Sequence, residues 1–121
     1  TQGQIELAGL KLRSISLPWG PLSGNLKALV LSRNQLKALP DQVATLSTLT
    51  ALWVDNNLLS SLPTNIGKLA SLKSLALDNN ELTALSPGVC DLLAMERLTV
   101  DNNALRFLPP RLADLTSLTL L

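Results

Sequence analysis

Three aspartates recur along the sequence at one fixed interval. Asp55, Asp78 and Asp101 are each followed by two asparagines, and 23 residues separate each from the next. A row of carboxylates could receive lysine or arginine side chains from a partner. The alternative is that Asp-Asn-Asn recurs because aspartate suits a turn. Calcium would need about six to eight oxygens arranged as a cage rather than a line, so we expect no metal site here.

Other side chains offer little for catalysis. Histidine is absent, which removes the usual general base near neutral pH. The only cysteine, Cys90, therefore has no histidine to activate it, and other repeats carry Ala44, Gly67 and Ala113 at its place. The glycines form no phosphate-binding pattern. We expect no catalytic residue, no cofactor and no small-molecule substrate.

Composition narrows the class of partner and the compartment. Ten basic and nine acidic side chains leave a net charge of +1, which gives no reason to expect nucleic acid or a membrane surface as the partner. Polar residues interrupt every leucine cluster, so no membrane span is expected. A single cysteine cannot form an internal disulfide, which favours a reducing, intracellular compartment such as the cytoplasm.

A longer repeat surrounds the aspartates. Apolar residues and one asparagine recur with the same period, and such a period indicates a repeat array. The regular units span 26–48, 49–71, 72–94 and 95–117, with the asparagines Asn34, Asn57, Asn80 and Asn103. A divergent unit covers 2–25, with Leu10 in place of its asparagine, and 118–121 begins another unit. We expect a single domain over 1–121 that is a fragment of a longer protein.

Each unit predicts the same succession of elements. Leu52-Trp53-Val54 alternates with the period of a strand, whereas Ile66 and Leu69 have the spacing of a helical or 3₁₀ turn. Between them, Leu62 precedes a proline, which favours extended backbone. The sequence therefore predicts an α/β repeat solenoid with a parallel sheet on one side and short helical turns on the other.

The pattern LxxLxLxxNxLxxLPxxIxxLxx resembles the leucine-rich repeat family over nearly the whole chain. The resemblance implies a horseshoe with a concave parallel sheet, and short helical or 3₁₀ turns on its convex side. It also implies that Asn34, Asn57, Asn80 and Asn103 are buried and bond loop backbone in their own and adjacent units. The LPxxIxxL variant looks like the intracellular class of Ras-pathway scaffolds, scribble- and erbin-like proteins and Roco GTPases.

Alternate side chains of each strand should leave the core for the concave face. Trp53 is the most distinctive of them, because exposed tryptophan is a common interface anchor. Alternatively, its ring lies over neighbouring alanines and has no partner. The candidate partner-binding residues are Val30, Trp53, Asp55, Ala76, Asp78, Thr99 and Asp101.

These residues favour a non-catalytic protein-recognition module, a scaffold or signalling component whose protein partner binds the concave face. A second hypothesis makes the repeats the substrate- or partner-selecting region of a larger signalling enzyme. The resemblance allows a Roco GTPase, a kinase or a ubiquitin ligase for that enzyme. A third hypothesis is an architectural spacer, which predicts no specific partner.

Overall fold

The alternating segments form the strands of one parallel sheet. The computed structural model describes residues 3–115 and 118–120; positions 1, 2, 116, 117 and 121, which include parts of the units at 2–25, 95–117 and 118–121, lie outside it. The strands are β1 (Gln4–Glu6), β2 (Ala28–Val30), β3 (Ala51–Trp53), β4 (Ser74–Ala76), β5 (Arg97–Thr99) and β6 (Thr119–Leu120). They lie side by side in chain order. Each unit thus contributes one rung to a solenoid.

Equal unit length sets the register of the sheet. Leu29, Leu52 and Leu75 pair directly across β2, β3 and β4, so identical positions of successive units are neighbours. The register changes by one residue at the carboxyl-terminal strand, where Arg97 pairs with Thr119 rather than with the next residue. The predicted unit beginning at 118 contributes a strand, and its Thr119 N–H donates to the carbonyl of Glu96 at 2.7 Å, as Glu96 N–H does to Lys73 in the preceding rung.

Short helical segments form the side of each rung opposite the sheet, as predicted. They are α1 (Trp19–Leu22) and the 3₁₀ helices η1 (Asp41–Thr45), η2 (Ile66–Lys68), η3 (Pro87–Asp91) and η4 (Pro110–Asp114). Pro40, which precedes η1, has φ −66° and ψ 148°, the extended geometry expected of this segment. The divergent first unit differs by using one turn of α-helix.

The core lies between the sheet and the helical segments. Leucines of the repeat pattern form one continuous buried cluster, which includes Leu29, Leu52, Leu75 and Leu98 from successive strands. Trp19 packs against this cluster from the divergent unit. Because each rung contacts only its neighbours, the apolar side chains of one unit are covered by the units above and below it.

The repeated asparagines connect adjacent rungs. Asn57 Oδ1 accepts a hydrogen bond from the N–H of Leu36 at 3.1 Å, and its Nδ2 donates to the carbonyls of Leu31 and Val54 at 3.0 Å each. Asn34, Asn80 and Asn103 make equivalent bonds. Asn34, Asn57 and Asn80 are buried, whereas Asn103 is half-buried. Backbone groups that leave the strands thereby find partners inside the protein.

Leu10 does not fill the place of the missing asparagine. Its side chain is exposed, and only its backbone N–H takes part, donating to Asn34 Oδ1 at 3.1 Å. A leucine side chain offers no acceptor for the loop backbone. The backbone of the divergent unit therefore hydrogen-bonds to Asn34 of the next rung, but the unit has no asparagine of its own at this position.

One turn position requires a left-handed backbone in every regular unit. Arg33, Asn56, Asn79 and Asn102 all have φ 57°, a conformation that costs most L-residues roughly 1–2 kcal/mol and that asparagine adopts more readily. Arg33→Asn should therefore raise the free energy of unfolding by about 0.5–1 kcal/mol in urea denaturation. The reciprocal Asn79→Arg should lower it by a similar amount, and equal stability of all three proteins would disprove this explanation.

Candidate partner-binding site

A shallow hollow lies on the concave face across β3, β4 and β5. Strand alternation points every second side chain to this face, so Trp53, Ala76 and Thr99 form a row across the sheet. The hollow has a volume of about 460 Å³ and is lined by Trp53, Asp55, Ser74, Leu75, Ala76, Asp78, Arg97 and Thr99. Five of the seven predicted binding residues therefore border one depression.

Trp53 forms one wall of this hollow. Its side chain is 43% exposed, although Leu52 before it and Val54 after it in the chain are buried. Its Nε1–H donates to Ser74 Oγ at 3.1 Å, which directs the indole towards β4. The ring is thus held in position while much of its surface contacts solvent, so a partner would have to order it little further.

Val30 is the exception among the predicted binding residues. Its place on β2 is as predicted, between Glu6 and Trp53 on the neighbouring strands, but the side chain is only 7% exposed. A short branched side chain between two longer ones has little accessible surface left. The prediction that Val30 contacts a partner is therefore corrected: the residue supports the sheet beside Trp53.

The three aspartates differ in the hydrogen bonds that their carboxylates accept within the protein. Asp55 accepts from Ser32 Oγ at 2.6 Å and from Asn56 Nδ2 at 2.9 Å. Asp78 Oδ1 accepts from the backbone N–H of Asp101 at 2.9 Å. Asp55 and Asp78 therefore help to connect adjacent rungs, which leaves less of their carboxylates available to a partner. Asp101 is exposed and lies beyond the lining of the hollow.

Arg97 is the positively charged residue that lines the hollow. It was not among the partner-binding residues predicted from the sequence. It stands on β5 directly beside Ser74, at the opposite end of the depression from Asp55 and Asp78. Strand alternation already assigned it to the concave face. The signal that could have identified it is the contrast with Ala28, Ala51 and Ser74, the small residues at the same position of earlier units.

Thr99 and Ala76 contribute the floor rather than polar contacts. The Thr99 hydroxyl oxygen is shielded from solvent and has no hydrogen-bond partner among the described residues. Ala76 lies between Trp53 and Thr99 and leaves room above the sheet. The centre of the hollow is thus apolar, with charged groups at its two ends.

Cys90 lies apart from this face, beside a second hollow. That hollow has a volume of about 300 Å³, and its lining includes Pro87, Phe107 and Pro110 together with Cys90. Burial raises the pKa of the Cys90 thiol; Arg111 opposes this shift, and Asp91 and Asp114 add to it. The neutral thiol is therefore favoured, which is the reverse of what an activated nucleophile needs.

Cys90 should consequently react slowly with thiol reagents. Because a raised pKa lowers the thiolate fraction and burial restricts access, we expect alkylation at pH 8 to be at least about tenfold slower in the folded protein than in denaturant. Mass spectrometry of timed iodoacetamide reactions measures both rates. Comparable rates in the two states would show that the thiol is accessible and ionised.

The family of the chain follows from a direct match to its repeats. The sequence model of the family described as leucine rich repeat matches residues 24–82 and 47–105. This region contains the rungs that are bonded through the repeated asparagines. The chain therefore belongs to the leucine-rich repeat family, whose domains generally bind proteins and are typically non-catalytic. No curated protein matches it by sequence.

Two solved structures illustrate the similarity. A leucine-rich repeat protein of Leptospira interrogans is 32% identical with a TM-score of 0.73, over 87% of this chain and 28% of its own. InlP of Listeria monocytogenes is 31% identical with a TM-score of 0.75, over 94% of this chain and 31% of its own. This chain thus spans less than a third of either protein. Within residues 3–115 and 118–120, no helix is long and apolar enough to cross a membrane.

Proposed function

We propose that this chain is a non-catalytic recognition module whose concave face binds a protein partner through the hollow around Trp53. The observation that carries the proposal is the exposed indole, held by Ser74 in a depression whose floor consists of small side chains. Tryptophan is enriched among the residues that dominate binding energy at protein interfaces. Asp55, Asp78 and Arg97 supply charged groups around it.

Removal of the indole should weaken partner binding strongly. We expect Trp53→Ala to reduce affinity by about 30-fold or more, which corresponds to the ~2 kcal/mol of a dominant interface residue. The circular dichroism spectrum should not change, because the side chain lies outside the core. Phe107→Ala is the matched control: Phe107 is also an exposed aromatic, at 66%, but it borders the other hollow.

Site-specific photo-crosslinking identifies the partner before these affinities are measured. A photoreactive amino acid in place of Ala51, which lies two residues before Trp53 on the same face of β3 and leaves the indole in place, should capture a protein that the same amino acid in place of Phe107 does not. Equal capture at both places, or an affinity unaffected by Trp53→Ala, would refute binding at this face. The architectural-spacer hypothesis predicts no specific capture at either place.

The hypothesis of a larger signalling enzyme assigns the same role to this face. There, the hollow would select the substrate or partner while a catalytic domain elsewhere performed the reaction. We also propose an intracellular, cytoplasmic location, which is supported by the single cysteine. Fractionation of cells that express the protein tests the location, and sequencing the whole gene tests for a catalytic domain.

A further inference from the structure

The hollow on the concave face has opposite charges at its two ends. Arg97 stands at the amino ends of the strands, beside Ser74. Asp78 follows β4 four residues after Ser74, which places it ~13 Å further along the strand direction. Trp53 and Ala76 lie between these ends. The surface thus presents a cation, an apolar centre and an anion in line.

These charges are not neutralised by each other. Within the described part of the chain, the ion pairs are those of Arg111 with Asp91 and Asp114, and none involves Arg97, Asp55 or Asp78. Asp78 Oδ1 accepts the N–H of Asp101, while Oδ2 has no hydrogen bond among the described residues. An incoming basic group therefore has an acceptor at one end, and an acidic group has a guanidinium at the other.

We propose that the hollow binds an extended polypeptide segment whose acidic and basic side chains, four residues apart, flank an apolar one. In an extended chain, side chains at i, i+2 and i+4 face the same way, and the outer two are ~13 Å apart. The acidic side chain pairs with Arg97, the apolar one contacts Trp53 and Ala76, and the basic one pairs with Asp78. This inference rests on the proposed function and adds the chemistry of the ligand.

A displayed library of random nonapeptides tests this preference. Peptides that bind the 121-residue chain but not its Trp53→Ala variant should be enriched in an acidic and a basic residue four positions apart, with an apolar residue midway. For a synthetic copy of an enriched peptide, Arg97→Glu should lower affinity on the order of tenfold, because attraction becomes repulsion. Changing the acidic residue of the peptide to lysine should restore binding to that variant.

Lys68→Glu makes the same change of charge on η2, away from the hollow, and should leave peptide affinity unchanged. Trp53-dependent peptides without paired charges, or an Arg97→Glu variant that binds them normally, would overturn this inference and leave the proposed function standing. A selection that yields no Trp53-dependent peptide would overturn this inference. The photo-crosslink from position 51 requires no knowledge of the ligand. If it captures no protein, or captures the same protein equally well in the Trp53→Ala variant, that result would separately refute the proposed function.

Discussion

Asn80→Ala should lower the free energy of unfolding by about 3 kcal/mol. Asn80 Oδ1 accepts the N–H of Leu59 at 3.0 Å, and its Nδ2 donates to the carbonyls of Val54 and Leu77 at 3.1 and 3.0 Å. The substitution removes these bonds, together with a fourth from Nδ2 to the carbonyl of Asp78 at 3.2 Å. It leaves the buried Leu59 N–H without a partner, at ~1–3 kcal/mol for that group alone. Urea denaturation followed by circular dichroism measures the loss.

Asn25→Ala is the matched control for this experiment. Asn25 also donates from Nδ2 to a carbonyl, that of Pro21 at 3.0 Å, but the bond is exposed to solvent and lies within one unit. Water can replace that bond, so we expect a loss below ~1 kcal/mol. Similar losses for the two variants would show that the buried asparagines do not hold adjacent rungs together.

Leu75→Ala should destabilise the protein by about 2–5 kcal/mol, the range for truncating a fully buried leucine. Leu75 is buried at the centre of β4, in register with Leu52 on one side and Leu98 on the other. The substitution removes Cγ and both methyl groups and leaves a cavity in a middle rung. The rungs on both sides pack against it, so the surrounding side chains can fill the cavity only in part. The midpoint of urea denaturation should fall accordingly.

Leu93→Ala provides the comparison for Leu75→Ala. Leu93 undergoes the same chemical change but is 70% exposed at the end of its unit. We expect its effect to remain within ~0.5 kcal/mol, as for most surface substitutions. Equal destabilisation by the two variants would contradict a core formed by the strand leucines.

The regular features of the fold could be predicted because they depend on the period alone. A constant unit length fixes which residues are neighbours, so the pairing of Leu52 with Leu75 and the outward position of Trp53 follow directly. The resemblance to the leucine-rich repeat family likewise implied that the recurring asparagine is buried, and Asn57 bonds backbone of its own and the preceding rung. The leucine-rich repeat family is confirmed by the model match.

The features that differ depend on contacts between particular side chains. Val30 is buried because of the residues beside it on neighbouring strands, which a repeat pattern does not describe. The carboxylate of Asp55 already accepts a hydrogen bond because the residue at the same position of the preceding unit is Ser32 rather than another aspartate. The pairing of Arg97 with Thr119 likewise differs from the register between the regular units. Assignment to the intracellular subclass, the binding role of the hollow and the partner remain predictions.

The most direct test of the stacked-rung arrangement is the hydrogen bond between Leu59 and Asn80. These groups lie in different units, with Leu59 N and Asn80 Oδ1 3.0 Å apart. Stacked rungs predict a scalar coupling by NMR between the amide nitrogen of Leu59 and the side-chain carbonyl carbon of Asn80, together with slow exchange of the Leu59 amide proton. No coupling and rapid exchange of that proton in the folded protein would contradict the arrangement.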